Sequence, residues 1–276
     1  MLSFLRHYGV RLATTNIMLI SAGVAFYAML AVFPGLTATI AIWSTFADPA
    51  VIQSYMEVAR TFIPPEAFDL LNGQITALLS GPRGVIGIPA IISVLVALWS
   101  ARAGVGALIE GINLVHGTKP RNTIFGFIFG YFLTVVLVGM MLVALATVVV
   151  VPLVVNFLPF HDLTLWMTSG LPWGAMLGLM LTALGILYRY GPHDPAARDP
   201  IISYGAVLAA LVWGAASFGL TFYLSNFGNY NRVYGSIGAV IALMMWLYVS
   251  AVSVLLGAAL NAQITTARQD RTKPAQ

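Results

Sequence analysis

The chain has 276 residues, 59% of them hydrophobic and only 8% charged, with a formal net charge of +4 and no cysteine. Soluble domains carry roughly 25% charged residues, so this composition excludes a soluble fold and implies an all-α polytopic membrane protein. The lack of cysteine excludes disulfides, thiolate metal sites and cysteine nucleophiles.

A spanning helix needs about 20 mostly apolar residues. Six segments qualify: Ile17 to Phe46, Gly84 to Ile112, Ile124 to Val155, Leu163 to Tyr188, Ile201 to Leu224 and Tyr234 to Ile264. The domain layout is therefore a cytoplasmic segment 1–16, a six-span domain 17–264 and a polar cytoplasmic tail 265–276. The first run is too long for a signal-peptide core and is expected to be a retained span. Residues 48–83 form the one long loop. "VIQSYMEVARTFI" and "PEAFDLLNGQITALLSG" have helix-like apolar spacing within it, and Pro65 suits a first helical turn. Two short helices on the outer face are expected there.

Orientation follows from the cations. Arg6, Arg11, Arg102, Lys119, Arg121, Arg189, Arg198, Arg268, Arg271 and Lys273 fall on one side of the six-span layout, and only Arg60, Arg83 and Arg232 on the other. Ten against three places both termini in the cytoplasm.

Apolar helices associate in lipid through small residues. Gly126 and Gly130, then Gly170, Gly174 and Gly178, then Ala103, Ala107 and Gly111, all recur at four-residue spacing and are expected at helix contacts. Breaks are expected where proline removes a backbone donor: at Pro34-Gly35 inside the first span, near Pro89 in the second, and at Gly170-Leu171-Pro172 in the fourth. Broken helices near the midplane are a feature of transporter sites, and the alternative at each place is an ordinary proline kink of the sort common in spanning helices.

Polar residues are scarce, so their positions carry information. "LWSARAGVGALIEGIN" holds Arg102, Glu110 and Asn113. On a helix, Arg102 and Asn113 share a face within about 20°. These three are candidates for a substrate pathway, because charge inside a span is expensive and marks function. Against this, Arg102 could instead snorkel to the inner interface as an anchor. "NFGNYNRVYGSIGAV" gathers Asn226, Tyr230, Asn231, Arg232 and Tyr234 between the last two spans. They are candidates for an external gate, or for a tight structural turn. "LYRYGPHDPAARDPI" places Arg189, His193, Asp194, Arg198 and Asp199 in a link read as a solvated loop. No HExxH, GxSxG or Walker A pattern occurs, and the four histidines are dispersed. No cofactor, no metal and no nucleic-acid partner is expected.

"SAGVAFYAMLAVFPGLTATIA", "LWSARAGVGALIEGIN", "LYRYGP" and the run from "SYGAVLAALVWG" to "LLGAALNA" resemble the YihY/virulence factor BrkB family, over about residues 20–262. The most specific stretch carries Tyr230, Asn231, Tyr234-Gly235-Ser236 and Gly238-Ala239. The resemblance implies six spans, cytoplasmic termini and an inner-membrane protein proposed to be a transporter or lipid exporter. Some members were long labelled ribonuclease BN, and others are linked to serum resistance and the bacterial envelope. One departure stands out: where the family often reads GAELN, this chain reads Gly257-Ala258-Ala259-Leu260-Asn261, so any role of that glutamate is in doubt here. The expected function is a transporter or flippase-like exporter of an anionic amphiphile, a lipid or envelope precursor, without ATP hydrolysis in this chain. The expected partners are membrane lipids, and a homo-oligomer is open. A non-transporting envelope scaffold is the alternative, and a membrane-bound ribonuclease stands further behind.

Overall fold

The computed structural model describes residues 2–43, 56–57, 60, 65–79, 88–118, 124–156, 161–194, 197–226 and 236–272. Among them the secondary structure is all helix: α1 Leu2–Thr14, α2 Ile17–Trp43, α3 Pro65–Leu79, α4 Ile88–His116, α5 Ile124–Asn156, α6 His161–Tyr190, α7 Tyr204–Asn226 and α8 Ser236–Thr272. The all-α, multi-span architecture expected from composition is the one observed. Five helices (α2, α4, α5, α7 and α8) are long and apolar enough to cross a membrane, and α6 contributes a shorter apolar stretch, Gly174–Tyr190. By internal packing the chain divides into two units, one of residues 1–20, 108–212 and 252–276 and the other of residues 21–107 and 213–251.

Local chemistry sets the helix ends. Asn16 takes the left-handed conformation (φ 49°) that asparagine tolerates better than most residues. Its carbonyl then accepts from the amides of Leu19 and Ile20, which starts α2. Gly117 (φ 69°) closes α4 in a Schellman motif: the Gly117 amide bonds to Leu114 O and the Thr118 amide to Asn113 O. Ser203 caps α7, its hydroxyl accepting from the Ala206 amide at 3.1 Å.

The break expected at Pro34 and Gly35 is not a break, because α2 is helical straight through both. Just past the proline, the Thr37 hydroxyl donates to the Phe33 carbonyl at 3.0 Å, the back-bond a threonine makes to the preceding turn of its helix. Likewise α6 continues through Gly170 and Pro172. Pro89 lies in the first turn of α4, where a missing amide costs nothing. Of the two short helices expected in the 48–83 loop, the second is α3, opening at Pro65 and packing the Phe68 ring 5.9 Å from the Arg60 guanidinium. The first lies largely outside the described residues.

The small-residue contacts are only partly those expected. Gly111 is one: a Cβ there would stand 2.7 Å from Leu255 Cδ2. Gly174 and Gly178 are not, since nothing lies within 4 Å of where their Cβ atoms would be. Close backbone approach occurs instead at Gly185, against the Ile201 carbonyl, and where Gly205 of α7 crosses Gly257 of α8.

The core of the first unit gathers Ile17, Ile112, Val115, Leu133, Leu184, Leu187, Tyr188, Leu255, Ala258 and Ala259. The second unit has a smaller cluster, Leu220, Leu224 and Ala242, with Trp246 packed on it. There α7 and α8 exchange a reciprocal pair of bonds: Trp213 Nε1 donates to Ser250 Oγ at 3.0 Å and Trp246 Nε1 to Ser217 Oγ at 3.2 Å. An indole N–H buried in apolar surroundings needs such an acceptor.

Candidate functional site

Helix α4 carries all three pathway candidates, but they lie in different surroundings. Arg102 belongs to the second unit, Glu110 and Asn113 to the first. Arg102 is half-buried inside a spanning helix. Its side chain runs along the helix toward the C-terminal end, with Nη1 over Gly106: a Cβ at that glycine would come within 2.5 Å of it. Long side chains on helices usually point back toward the N-terminus. Gly106 therefore leaves the room that lets the guanidinium run the other way. Two residues before Arg102, and so on another face of the helix, Ser100 is buried with no hydrogen-bond partner for its hydroxyl among the described residues, and so is Ser21 of α2. Within this unit α2 and α4 touch at Gly104, whose Cβ position is 3.6 Å from Tyr27 Cβ. Tyr27 in turn meets the Trp99 ring edge-to-face at 6.4 Å.

Glu110 is exposed rather than turned into the core. Asn113 is buried, and its amide is engaged in fastening. Oδ1 accepts from the His193 amide at 3.0 Å and from Thr118 Oγ1 at 2.8 Å, while Nδ2 donates to Ile109 O at 2.9 Å. It ties the end of α4 to the connector between α6 and α7. Of the gate candidates, Asn226 is the last residue of α7, while Tyr230, Asn231, Arg232 and Tyr234 lie outside the described residues.

The connector, residues 191–203, differs from the solvated loop expected. Gly191, Pro192, Ala197, Asp199 and Ser203 are buried, whereas His193, Asp194 and Arg198 are exposed. Its far end is held by Asn261 of α8. Oδ1 of Asn261 accepts from the Gly205 amide at 2.8 Å, and Nδ2 donates to Ser203 Oγ at 2.9 Å. Tyr188 adds a bond from its hydroxyl to Val254 O at 2.6 Å. Ala259, standing where the family often has glutamate, is fully buried in this apolar core. A carboxylate could enter there only with a partner.

Helix α1 completes the first unit. Tyr8 donates to Leu256 O at 3.0 Å, and Arg11 donates to Val115 O at 2.9 Å and to Thr266 Oγ1 at 3.2 Å. Burial shifts both groups away from their charged forms, raising the Tyr8 phenol and lowering the Arg11 guanidinium relative to their ordinary values. Sequence reasoning placed no helix here and missed Tyr8, Asn261 and Asp199. Each has its partner far along the chain, so no local spacing could signal it.

Among the described residues, no group of three or more His, Cys, Asp or Glu side chains could hold a metal ion. An all-helical, multi-span chain with a half-buried arginine in one span and a polar fastening at the ends of others is a polytopic membrane protein. The chain belongs to the virulence factor BrkB family, which matches residues 10–276. It is 29% identical over 247 residues to the putative ribonuclease-like protein YfkH of Bacillus subtilis, covering 88% of each chain. It is 27% identical over 261 residues to a UPF0761 membrane protein of Alteromonas mediterranea, covering 91% of this chain and 84% of that one. A shorter match, 41% over 104 residues, links it to a UPF0761 membrane protein of Tolumonas auensis. No solved structure matches it significantly.

Proposed function

We propose that this protein is an inner-membrane transporter or flippase-like exporter of an anionic amphiphile, with both termini in the cytoplasm and no ATP hydrolysis of its own. The observation that carries this is Arg102. A guanidinium in the middle of an apolar span is costly to keep and is retained where it meets an anion or a polar path. Nuclease chemistry would want clustered metal ligands beside a phosphate, and the described residues offer none. The reading as a non-enzyme rests on the sequence, which holds no HExxH, GxSxG or Walker A pattern, although one relative carries the words ribonuclease-like in its name.

The test is thermal unfolding of the purified protein in detergent with anionic lipids, zwitterionic lipids, envelope precursors and short RNA. A ligand bound only by the folded state, at about 100 times its Kd, adds roughly 2.7 kcal/mol. Stabilisation by an anionic amphiphile, lost in Arg102→Ala and partly kept in Arg102→Lys, is the expected result. Stabilisation that survives Arg102→Ala leaves Arg102 as an orientation anchor and refutes the site. Stabilisation by RNA alone replaces transport with the enzyme.

A further inference from the structure

The first unit buries a pair of titratable groups that the transport site does not use. His116 is the last residue of α4, and Asp199 lies in the 191–203 connector. Nε2 of the imidazole is 3.7 Å from Asp199 Oδ2, with the two side chains only 3% and 7% exposed. That is a charge contact, too long for a hydrogen bond. Neither atom has a hydrogen-bond partner among the described residues.

The other ring nitrogen decides what this contact means. Nδ1 lies 2.9 Å from the Ile112 carbonyl oxygen. A carbonyl only accepts, so Nδ1 carries the hydrogen. A neutral ring then presents Nε2 as a bare lone pair to a carboxylate. Two acceptors face each other, out of water, with no donor between them, which is an unfavourable arrangement. One proton removes the conflict. On Nε2 it makes an imidazolium–carboxylate pair, at a helix C-terminus where a cation is favoured. On Oδ2 it makes an acid facing an acceptor.

We propose that His116 and Asp199 hold one proton between them, and that this proton latches the middle of the connector onto the end of α4. The connector's two ends are fastened by groups that do not titrate near neutrality: Asn113 on the His193 amide, and Asn261 on Ser203. Only the stretch between them depends on the pair. Among the described residues, the other charged or titratable groups around the pair are as follows. Tyr188 of α6 interacts electrostatically with Asp199 and with Tyr8 of α1. Arg11 of α1 is engaged by Val115 O, beside His116. His193, Asp194 and Arg198 of the connector are exposed. From α8, the buried Asn261 and Gln263 bring no charge. The latch is independent of the transport proposal and stands if Arg102 binds nothing.

Two measurements test it in the full-length protein. The chain has four histidines, so imidazole nitrogen-15 labelling gives a spectrum that can be assigned by elimination, replacing His7, His161 and His193 by Gln one at a time. The expected His116 signal at neutral pH has Nδ1 protonated and Nε2 protonated or hydrogen-bonded. A bare Nε2, or a ring protonated on Nε2 alone, overturns the proposal. The second measurement uses the natural absence of cysteine. Ala197→Cys reports the buried middle of the connector, and Ile202→Cys, at an exposed position, corrects for intrinsic thiol reactivity. The ratio of their maleimide labelling rates is expected to be at least about threefold higher in Asp199→Ala, which leaves no acceptor for the shared proton, than in the parent chain. In Asp199→Asn the amide can donate to Nε2 without an added proton, and the ratio stays at the parent value. An unchanged ratio in Asp199→Ala, or the same rise in Asp199→Asn, overturns the latch.

Discussion

The crossing of α7 and α8 at Gly205 and Gly257 makes the sharpest stability prediction. Adding one methyl group by Gly205→Ala puts a carbon onto the Gly257 carbonyl oxygen and within 2.5 Å of Asn261 Oδ1. Backbone cannot step aside as a flexible side-chain end can, so the helices must part by about 1 Å to restore ordinary contact. Overpacking of this kind costs about 1–3 kcal/mol. The same movement stretches the 2.8 Å bond from the Gly205 amide to Asn261 Oδ1. Losing a buried bond of that type adds about 1–3 kcal/mol. Together these give a loss of about 2–6 kcal/mol. The control is on the same helix: Gly214 has nothing within 4 Å of its Cβ position. Gly214→Ala gains helix propensity and is expected to be neutral, or stabilising by up to about 1 kcal/mol. Equilibrium unfolding in mixed detergent, followed by the fluorescence of the six tryptophans, measures both. Equal stability of Gly205→Ala and Gly214→Ala would refute the close crossing.

Other substitutions probe the fastenings. Asn261→Ala removes the acceptor for the Gly205 amide and the donor to Ser203, and is expected to cost about 2–3 kcal/mol in the same unfolding assay. Tyr8→Phe removes one bond to Leu256 O, about 1 kcal/mol near neutral pH. Because burial raises the folded-state value for Tyr8, its contribution is intact below the ordinary tyrosine range of about 10 and is lost as pH rises through the raised value. Stability measured against pH should therefore fall less on the alkaline side in Tyr8→Phe than in the parent chain. A double-mutant cycle of Trp213→Phe with Ser250→Ala should show coupling of about 0.5–1.5 kcal/mol from their 3.0 Å bond.

The helical type of the elements and the places of the long spans were legible in the sequence because the bilayer constrains them so tightly. A run of apolar residues longer than the hydrocarbon thickness has few alternatives to a helix. Proline misled for the same reason. In water a mid-helix proline usually interrupts, but in α2 the helix continues past Pro34. Small-residue spacing misled in a different way. The pattern at Gly174 and Gly178 is identical in form to a contact motif, yet their surroundings are open, while Gly205 and Gly257 touch across 52 positions without a shared motif. Spacing reports which face is small, and only tertiary structure reports what that face meets.

The polar residues of the connector show the same limit with a functional consequence. "HDPAARDPI" reads as a loop because its residues are turn formers and charges with no local partner. Every partner that buries it lies elsewhere: Asn113 and His116 at the end of α4, Asn261 on α8. In a chain with only nine acidic residues, burying Asp199 against His116 is a large share of the charge available for any switch. The family's glutamate position is alanine here and sealed in the core, so it cannot supply an acid in this protein. If the proposed transport draws on protons, a variant that unlatches the connector without touching Arg102 is expected to keep ligand affinity and lose turnover.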